Sequence, residues 1–386
     1  MSEEYYLKAI RDFYSEHYDG GKYKRHCVEK LIALTHDELF LQGLHDCMVR
    51  QLGSVNIGPF GIDKMTILFP VSRTSASRIK DVLVEKYKSL GCSKIEFGDC
   101  RGGYDEGVYF KNHIILRWID VDSSISVFFD QKDKRREHNI KVSFNFSKHR
   151  EQALNLLCLI IENVPPSLVG HVFKNARVNE FEQYIDFKDI PSFLFFIGKG
   201  QREKDIRVHN YENINRLVET IELSKDKSRE VKVYDKTKER VFTGRDKTFY
   251  KKNGIVTRLE VTIVRNKLNS KDRENKLKFA QWKSYTKFTD SLKMFSPILM
   301  SELSEPQIRY ILTNGFHTFY LENKVRLSFI FEKYSLEYER KFKNYVNSLG
   351  SIQMGGFILD LGKMVEVDII KLGYDERSGG VRKERS

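Results

Sequence analysis

Three short runs carry the side-chain types, carboxylates, tyrosines and cations, that a phosphodiester-cutting site needs. REVKVYDKTKE (229–239) reads as a strand, where every second side chain shares a face. Val231 and Val233 then point one way, and Lys232, Tyr234 and Lys236 the other. In TRLEVTI (257–263), Leu259, Val261 and Ile263 form an apolar row, with Arg258, Glu260 and Thr262 opposite. In FEQYIDF (181–187), Phe181, Ile185 and Phe187 mark one face, with Gln183 out of pattern; Glu182, Tyr184 and Asp186 occupy the other. Carboxylates hold a divalent metal that polarises a phosphate, a hydroxyl attacks in line, and cations steady the developing charge. The same alternation also fits an ordinary sheet with one solvated face.

Spacing limits the metal set. Glu182 and Asp186 stand four residues apart, about 13 Å along a flat strand, so they share one ion only across a bulge or bend. Either one with Glu260 from a neighbouring strand is easier to build, and the sequence does not choose between them. Tyrosine is weakly nucleophilic near its ordinary pKa of about 10. Whichever tyrosine served as nucleophile, cations such as Lys232 and Lys236 and a metal would have to favour its phenolate. Tyr184, Tyr234 and Tyr250 are the tyrosines that could supply it.

The elements that must position these residues form an α+β pattern. Residues 1 to about 55 have helical periodicity, broken by DGG at 19–21. GIDKMTILFPV (61–71) is strand-like, and 72–91 reads as a helix with a Ser/Thr-rich start and Gly91 as terminator. KIEFGD, GVYFKNHIILRWIDV, ISVFFD and IKVSFNF follow as strands, then a helix over 149–164 that Pro165–Pro166 ends. RVNEFEQYIDF, SFLFFIG (192–198), DIRVHNYE, REVKVYDKTKE and TRLEVTIVR all favour strand, a loose echo that allows a duplicated core. NINRLVETIEL fits a short helix or a strand. From about 266 onward the pattern is helical again, with Phe and Tyr at three- and four-residue intervals that suit a core stripe. The expected fold is an antiparallel or mixed sheet with helices on one face, flanked by helical termini. It divides into a helical N-terminal region (1–55), a catalytic domain (56–266), a helical region for DNA recognition or dimerisation (267–375) and a mobile basic tail (376–386).

Composition narrows the partners. The 386 residues hold 66 Lys+Arg against 53 Asp+Glu, a net +13, with 40% hydrophobic and 31% charged residues. That is a globular chain suited to polyanions, in the cytoplasm nucleic acid above all. Five scattered cysteines give neither a disulfide framework nor a structural-metal spacing. ALNLLCLIIENVPPSLVG carries Glu162 and meets Pro165–Pro166 too soon to cross a bilayer, so no membrane role is expected. The histidines are singletons, and no GxxxxGK[ST] phosphate loop occurs.

VKVYDKTKE followed by TRLEVTI resembles the paired "IRIYxKxxE … RxE" signature of rolling-circle replication initiators, the trans-acting plasmid type above all. Similarity is more distant to phage gene II-type replication proteins and conjugative relaxases. GIDKMTILFPV resembles their opening "IDxxxxxxP" strand and RVNEFEQYIDF their "xxRIDxAxDF" strand, together covering about 61–266. Here Glu180 replaces the usual Arg and Glu182 the first Asp. The resemblance implies site-specific nicking and joining of origin DNA, double-stranded with a locally single-stranded nick site, through a 5′-phosphotyrosine on Tyr234. Lys236 and Glu239 match the motif's following residues. Glu260 with Glu182 or Asp186 would bind Mg²⁺ or Mn²⁺, and a separate helicase would open the duplex. Lys232, Arg245, Lys247, Lys251, Lys252 and Arg258 are the candidate DNA contacts, and a homodimer is compatible with the C-terminal helices. A non-catalytic origin-binding replication or transcription protein and a conjugative relaxase are the alternatives.

Overall fold

A computed structural model describes residues 2–18, 27–53, 60–99, 110–121, 123–132, 137–197, 206–209, 217–225, 229–242, 246, 248–264, 279, 292–336 and 340–367. Within them the chain runs α1 (Ser2–Tyr18), α2 (Cys27–Thr35), α3 (Glu38–Gly53), β1 (Phe60–Phe69), α4 (Arg73–Lys86), β2 (Lys94–Asp99), β3 (Phe110–Arg117), β4 (Ser124–Gln131), β5 (Ile140–Asn145), α5 (Phe146–Glu162), α6 (Pro166–Asn175) and β6 (Arg177–Lys188). It continues through β7 (Phe196–Ile197), β8 (Ile206–His209), β9 (Thr220–Lys225), β10 (Arg229–Asp235), α7 (Lys236–Phe242), α8 (Phe249–Asn253) and β11 (Val256–Val264). β12 (Leu292–Phe295), α9 (Glu305–Asn323), α10 (Ser328–Lys333), β13 (Ser335–Leu336) and α11 (Arg340–Met364) complete it. This is an α+β fold, with helical regions on either side in sequence of a sheet ordered β2-β3-β4-β5-β1-β6-β11-β10-β9-β8 among the described residues. The chain divides into two compact units, each drawn from three separate stretches of sequence.

Unit 2, comprising Gly61–Gln183, Thr262–Tyr285 and Ser348–Ser386, is built on an antiparallel meander from β2 through β5 to β1. Its alternating residues Met65, Ile67, Ile114, Leu116, Ile125, Val127, Val142 and Phe144 are fully or almost fully buried. Ser72 caps α4 by accepting the Ser75 N–H, and Gly91 stops the following turn at φ 74°. Asn145 caps α5 in the same way through the Lys148 N–H at 3.0 Å. Phe357 of α11 packs its ring against Phe144 and Phe146, at 6.1 and 5.1 Å between centroids. Arg150 pairs with Asp360.

Unit 1, comprising Met1–Phe60, Tyr184–Val261 and Thr286–Asn347, gathers the N-terminal helices around the end of β6. Tyr6 packs edge-on against Phe40, and Gly43 lets α1 and α3 touch, since a Cβ there would lie 2.2 Å from the Ser2 carbonyl. Asp189 is the hub. Its carbonyl accepts the Tyr6 hydroxyl, its carboxylate pairs with Arg11 at 2.8 Å, and its N–H donates to the Ile255 carbonyl at 2.6 Å. Gln51 brackets Lys188 from both sides, through its N–H and its carbonyl. The aromatic stripe of α9 is core as expected: Phe316 and Phe319 pack with Phe295 and Phe331.

Several sequence expectations shift. Ser192–Leu194 is a 3-10 turn, leaving only Phe196–Ile197 as strand. Pro166 opens a second helix, because proline is tolerated in a first turn where its missing N–H is not needed. The region expected to be helical after 266 includes strands at Leu292–Phe295 and Ser335–Leu336. The 220–225 part of NINRLVETIEL is strand. The tail at 376–386 lies outside the described residues.

Gly254 begins the approach to β11 at φ 68°, ψ −151°, a region nearly reserved for glycine, and a Cβ there would stand 2.4 Å from Asp189 Oδ1. Gly254→Ala is expected to cost about 2–3 kcal/mol, read from the urea unfolding midpoint. A loss under about 0.5 kcal/mol would show that the Asp189 hub yields freely.

Candidate functional site

β11 carries the densest chemistry. Leu259, Val261 and Ile263 are buried on one face, and Arg258, Glu260 and Thr262 are buried too, each at most 8% exposed. The solvated-face alternative therefore fails for this strand, and its polar row must find partners inside the protein. Arg258 forms a two-pronged ion pair with Asp186, at 2.7 and 2.8 Å, and its guanidinium lies 3.7 Å from the Tyr184 ring centre. Glu260 Oε2 accepts the Tyr234 hydroxyl at 3.1 Å. Thr262 donates to Glu182 Oε2 at 3.1 Å.

Tyr234 is the last residue but one of β10 and stands opposite Thr220 of β9. Lys236 does not continue the strand, contrary to the alternation drawn from sequence. Asp235 accepts the Lys238 N–H at 2.9 Å, an N-cap bond, and the chain turns into α7 at Lys236. Lys236 nevertheless donates to the Tyr234 hydroxyl at 3.3 Å and pairs with Glu239 one helical turn on. Thr237 ties this corner to the next strand by donating to the Gly254 carbonyl and accepting the Val256 N–H.

The electrostatics run against the expected phenolate. Burial, then the negative charge of Glu260, pushes the Tyr234 phenol above its ordinary value, with the Arg258 charge opposing them. Burial, then the Arg258 charge, pulls the Lys236 ammonium down. In this arrangement the tyrosine is a protonated hydrogen-bond donor.

Asp63, Glu182 and Glu260 form a candidate metal-coordinating cluster, with one carboxylate oxygen of each lying within 4.8 Å of the others. A hard divalent ion holds oxygens at about 2.0–2.6 Å, so opposed ligands stand about 4–5 Å apart, and the cluster fits that span. Asp63 accepts Asn145 Nδ2 at 2.5 Å and Ser147 Oγ at 3.3 Å. Of the two acids that spacing left open, Glu182 joins Glu260, whereas Asp186 is engaged by Arg258. Asp63 was missed because it interrupts an apolar strand as a single acid; its place in the "ID" dipeptide of the opening motif was the available signal.

The remaining candidates scatter. Lys232 is half-buried and paired with Glu230 at 2.8 Å. Arg258 is buried against Asp186, which removes it from any open DNA surface. Lys251 and Lys252 are exposed on α8, within the stretch expected as a loop, while Arg245 and Lys247 lie outside the described residues. Tyr184 is buried beneath Arg258; Tyr250 is half-buried on α8, with Lys251 Nζ 5.7 Å from its ring centre. Glu180, standing where the resembled motif has Arg, pairs with Lys64 at 2.9 Å.

No protein-family model matches this chain, and no curated protein matches it in sequence. No described helix is long and apolar enough to cross a membrane.

Asp186→Asn should leave the Arg258 charge buried without its counter-ion and lower stability by about 3 kcal/mol or more in urea titration. A loss below about 1 kcal/mol would contradict the pairing as drawn. For Tyr234, ¹³C-tyrosine spectra assigned with Tyr234→Phe should show its Cζ resonance still at the phenol position at about pH 10 in metal-free protein. Because its folded pKa is raised, Tyr234 contributes stability below the ordinary phenol value of about 10 and loses it as pH climbs towards the folded value. A resonance titrating below about 10 would refute the assignment.

Proposed function

We propose that this chain is a DNA nicking–joining enzyme that acts at a plasmid or mobile-element origin and initiates rolling-circle replication, with Tyr234 as nucleophile. The observation that carries the reading is the hydrogen bond from the Tyr234 hydroxyl to Glu260, itself one of three clustered carboxylates. A nucleophile, a proton acceptor and a candidate metal ligand thus meet at one oxygen pair. The order and spacing of VKVYDKTKE and TRLEVTI support the same reading through their resemblance to initiator motifs.

In this mechanism Tyr234 Oη attacks the scissile phosphorus in line, an O–P bond forms to tyrosine, and the bond to the 3′ oxygen breaks. Glu260 takes the phenolic proton, and Lys236 steadies the oxygen as its charge develops. The 3′ oxygen departs as a hydroxyl after protonation from water, ready to prime synthesis. Attack of a 3′-hydroxyl on the phosphotyrosine reverses the sequence and rejoins the strand. Asp63, Glu182 and Glu260 would hold Mg²⁺ or Mn²⁺, which when bound polarises the phosphate. The exposed Lys251 and Lys252 are available for phosphate contacts, and the net +13 charge favours binding that weakens steeply with salt. A cytoplasmic setting and a separate helicase follow from this role.

The test is a denaturing gel after incubation with supercoiled origin-bearing DNA and Mn²⁺. Wild type should yield a nicked strand that carries the protein. Tyr234→Phe should bind DNA with similar affinity but lose the adduct by a factor of about 10³ or more. Glu182→Gln and Glu260→Gln should lose the metal dependence together with the nick. Full adduct formation by Tyr234→Phe would overturn the assignment, and a clean gel shift without any adduct from wild type would favour the non-catalytic origin-binding protein.

A further inference from the structure

One residue beside the carboxylate cluster serves two elements at once. Asn145 ends β5 and stands opposite Lys64 in the β1–β5 register, next to Asp63 along the strand. Its Oδ1 accepts the Lys148 N–H at 3.0 Å and caps α5. Its Nδ2 donates to Asp63 Oδ1 at 2.5 Å. Ser147 closes the arrangement, donating to Asn145 Oδ1 at 2.8 Å and to Asp63 Oδ1 at 3.3 Å. An amide has one acceptor oxygen and one donor nitrogen. Commitment of the oxygen to the helix N-terminus fixes the direction of the nitrogen, and with it the carboxylate it holds.

We propose that Asn145 is a positioning residue for a divalent-metal centre: through its capped amide it sets the orientation of Asp63, so that the start of α5 and the cation affinity are coupled. The proposal rests on the reading of Asp63, Glu182 and Glu260 as that centre. Hydrogen bonds behind a ligating carboxylate fix its orientation and basicity, and losing one typically weakens metal binding about 10–100-fold.

Asn145→Ser separates the two duties. Serine supplies a capping oxygen of comparable quality, but it lacks the amide donor that reaches Asp63. Mn²⁺ binding to the full chain, measured by calorimetric titration, should weaken about 10-fold or more. The melting temperature in metal-free buffer should stay within about 3 °C of wild type, since the cap is retained. If the serine variant melts early, Asn145→Thr provides another capping hydroxyl, with the same expected loss of affinity. Asp63→Asn is titrated in parallel. Loss of Mn²⁺ binding in Asp63→Asn with wild-type affinity in Asn145→Ser would overturn the positioning role alone. Unchanged affinity in Asp63→Asn, or no Mn²⁺ uptake by wild type, would overturn the metal centre and the positioning role with it.

Discussion

A strand buried on both faces tolerates a polar row only if every member of that row is met by a partner, and β11 is such a strand. Burying a charge costs several kcal/mol unless it is paired and hydrogen-bonded. Arg258, Glu260 and Thr262 are all buried, so Asp186, Tyr234 and Glu182 are required where they are. A slip of one residue in β11 would exchange this row for Leu259, Val261 and Ile263 and strand an arginine and a glutamate among apolar side chains. The chemistry of the site and the register of the strand are thus one constraint.

Two turns deliver the strands to that register. Asp189 gathers Tyr6, Arg11 and the Ile255 N–H and carbonyl, which fixes where β11 begins. Asp235 ends β10 by capping α7, so Tyr234 sits one residue before the chain changes direction. Thr237 joins the two corners through the Gly254 carbonyl and the Val256 N–H. A helix start and a strand start therefore share hydrogen bonds within one turn of the tyrosine. Such bracing holds a hydroxyl and a carboxylate at fixed separation, which in-line chemistry needs.

Much of this was legible in the sequence where one period governed a whole run. The alternation in TRLEVTI correctly separated Leu259, Val261 and Ile263 from Arg258, Glu260 and Thr262. Ser72 and Gly91 marked the bounds of α4 because caps act locally. Alternation failed at Lys236, where the Asp235 cap overrode the strand pattern of VKVYDKTKE; an aspartate before a run of helix formers was the unread signal. Pairing was less accessible still. Nothing in FEQYIDF says that Asp186 meets an arginine 72 residues later, since partner choice is set by register between strands. Asp63 was hidden for the same reason: a lone acid in an apolar run acquires a role only when β5 brings Asn145 beside it.

The same register accounts for the protonated tyrosine. Glu260 accepts the Tyr234 hydroxyl and also belongs to the carboxylate cluster, so its negative charge acts in two directions. Without a cation it repels its fellow carboxylates and, together with burial, holds the phenol above its ordinary pKa. Charge neutralised at Glu260 relieves the repulsion and the Glu260 share of the phenol shift at once, leaving the effect of burial in place. Under the proposed function, readiness of the nucleophile and occupancy of the metal centre are therefore linked by a single side chain. Under that proposal the buried tyrosine would stay protonated until the divalent ion and the phosphate meet, which would confine cleavage to the assembled complex.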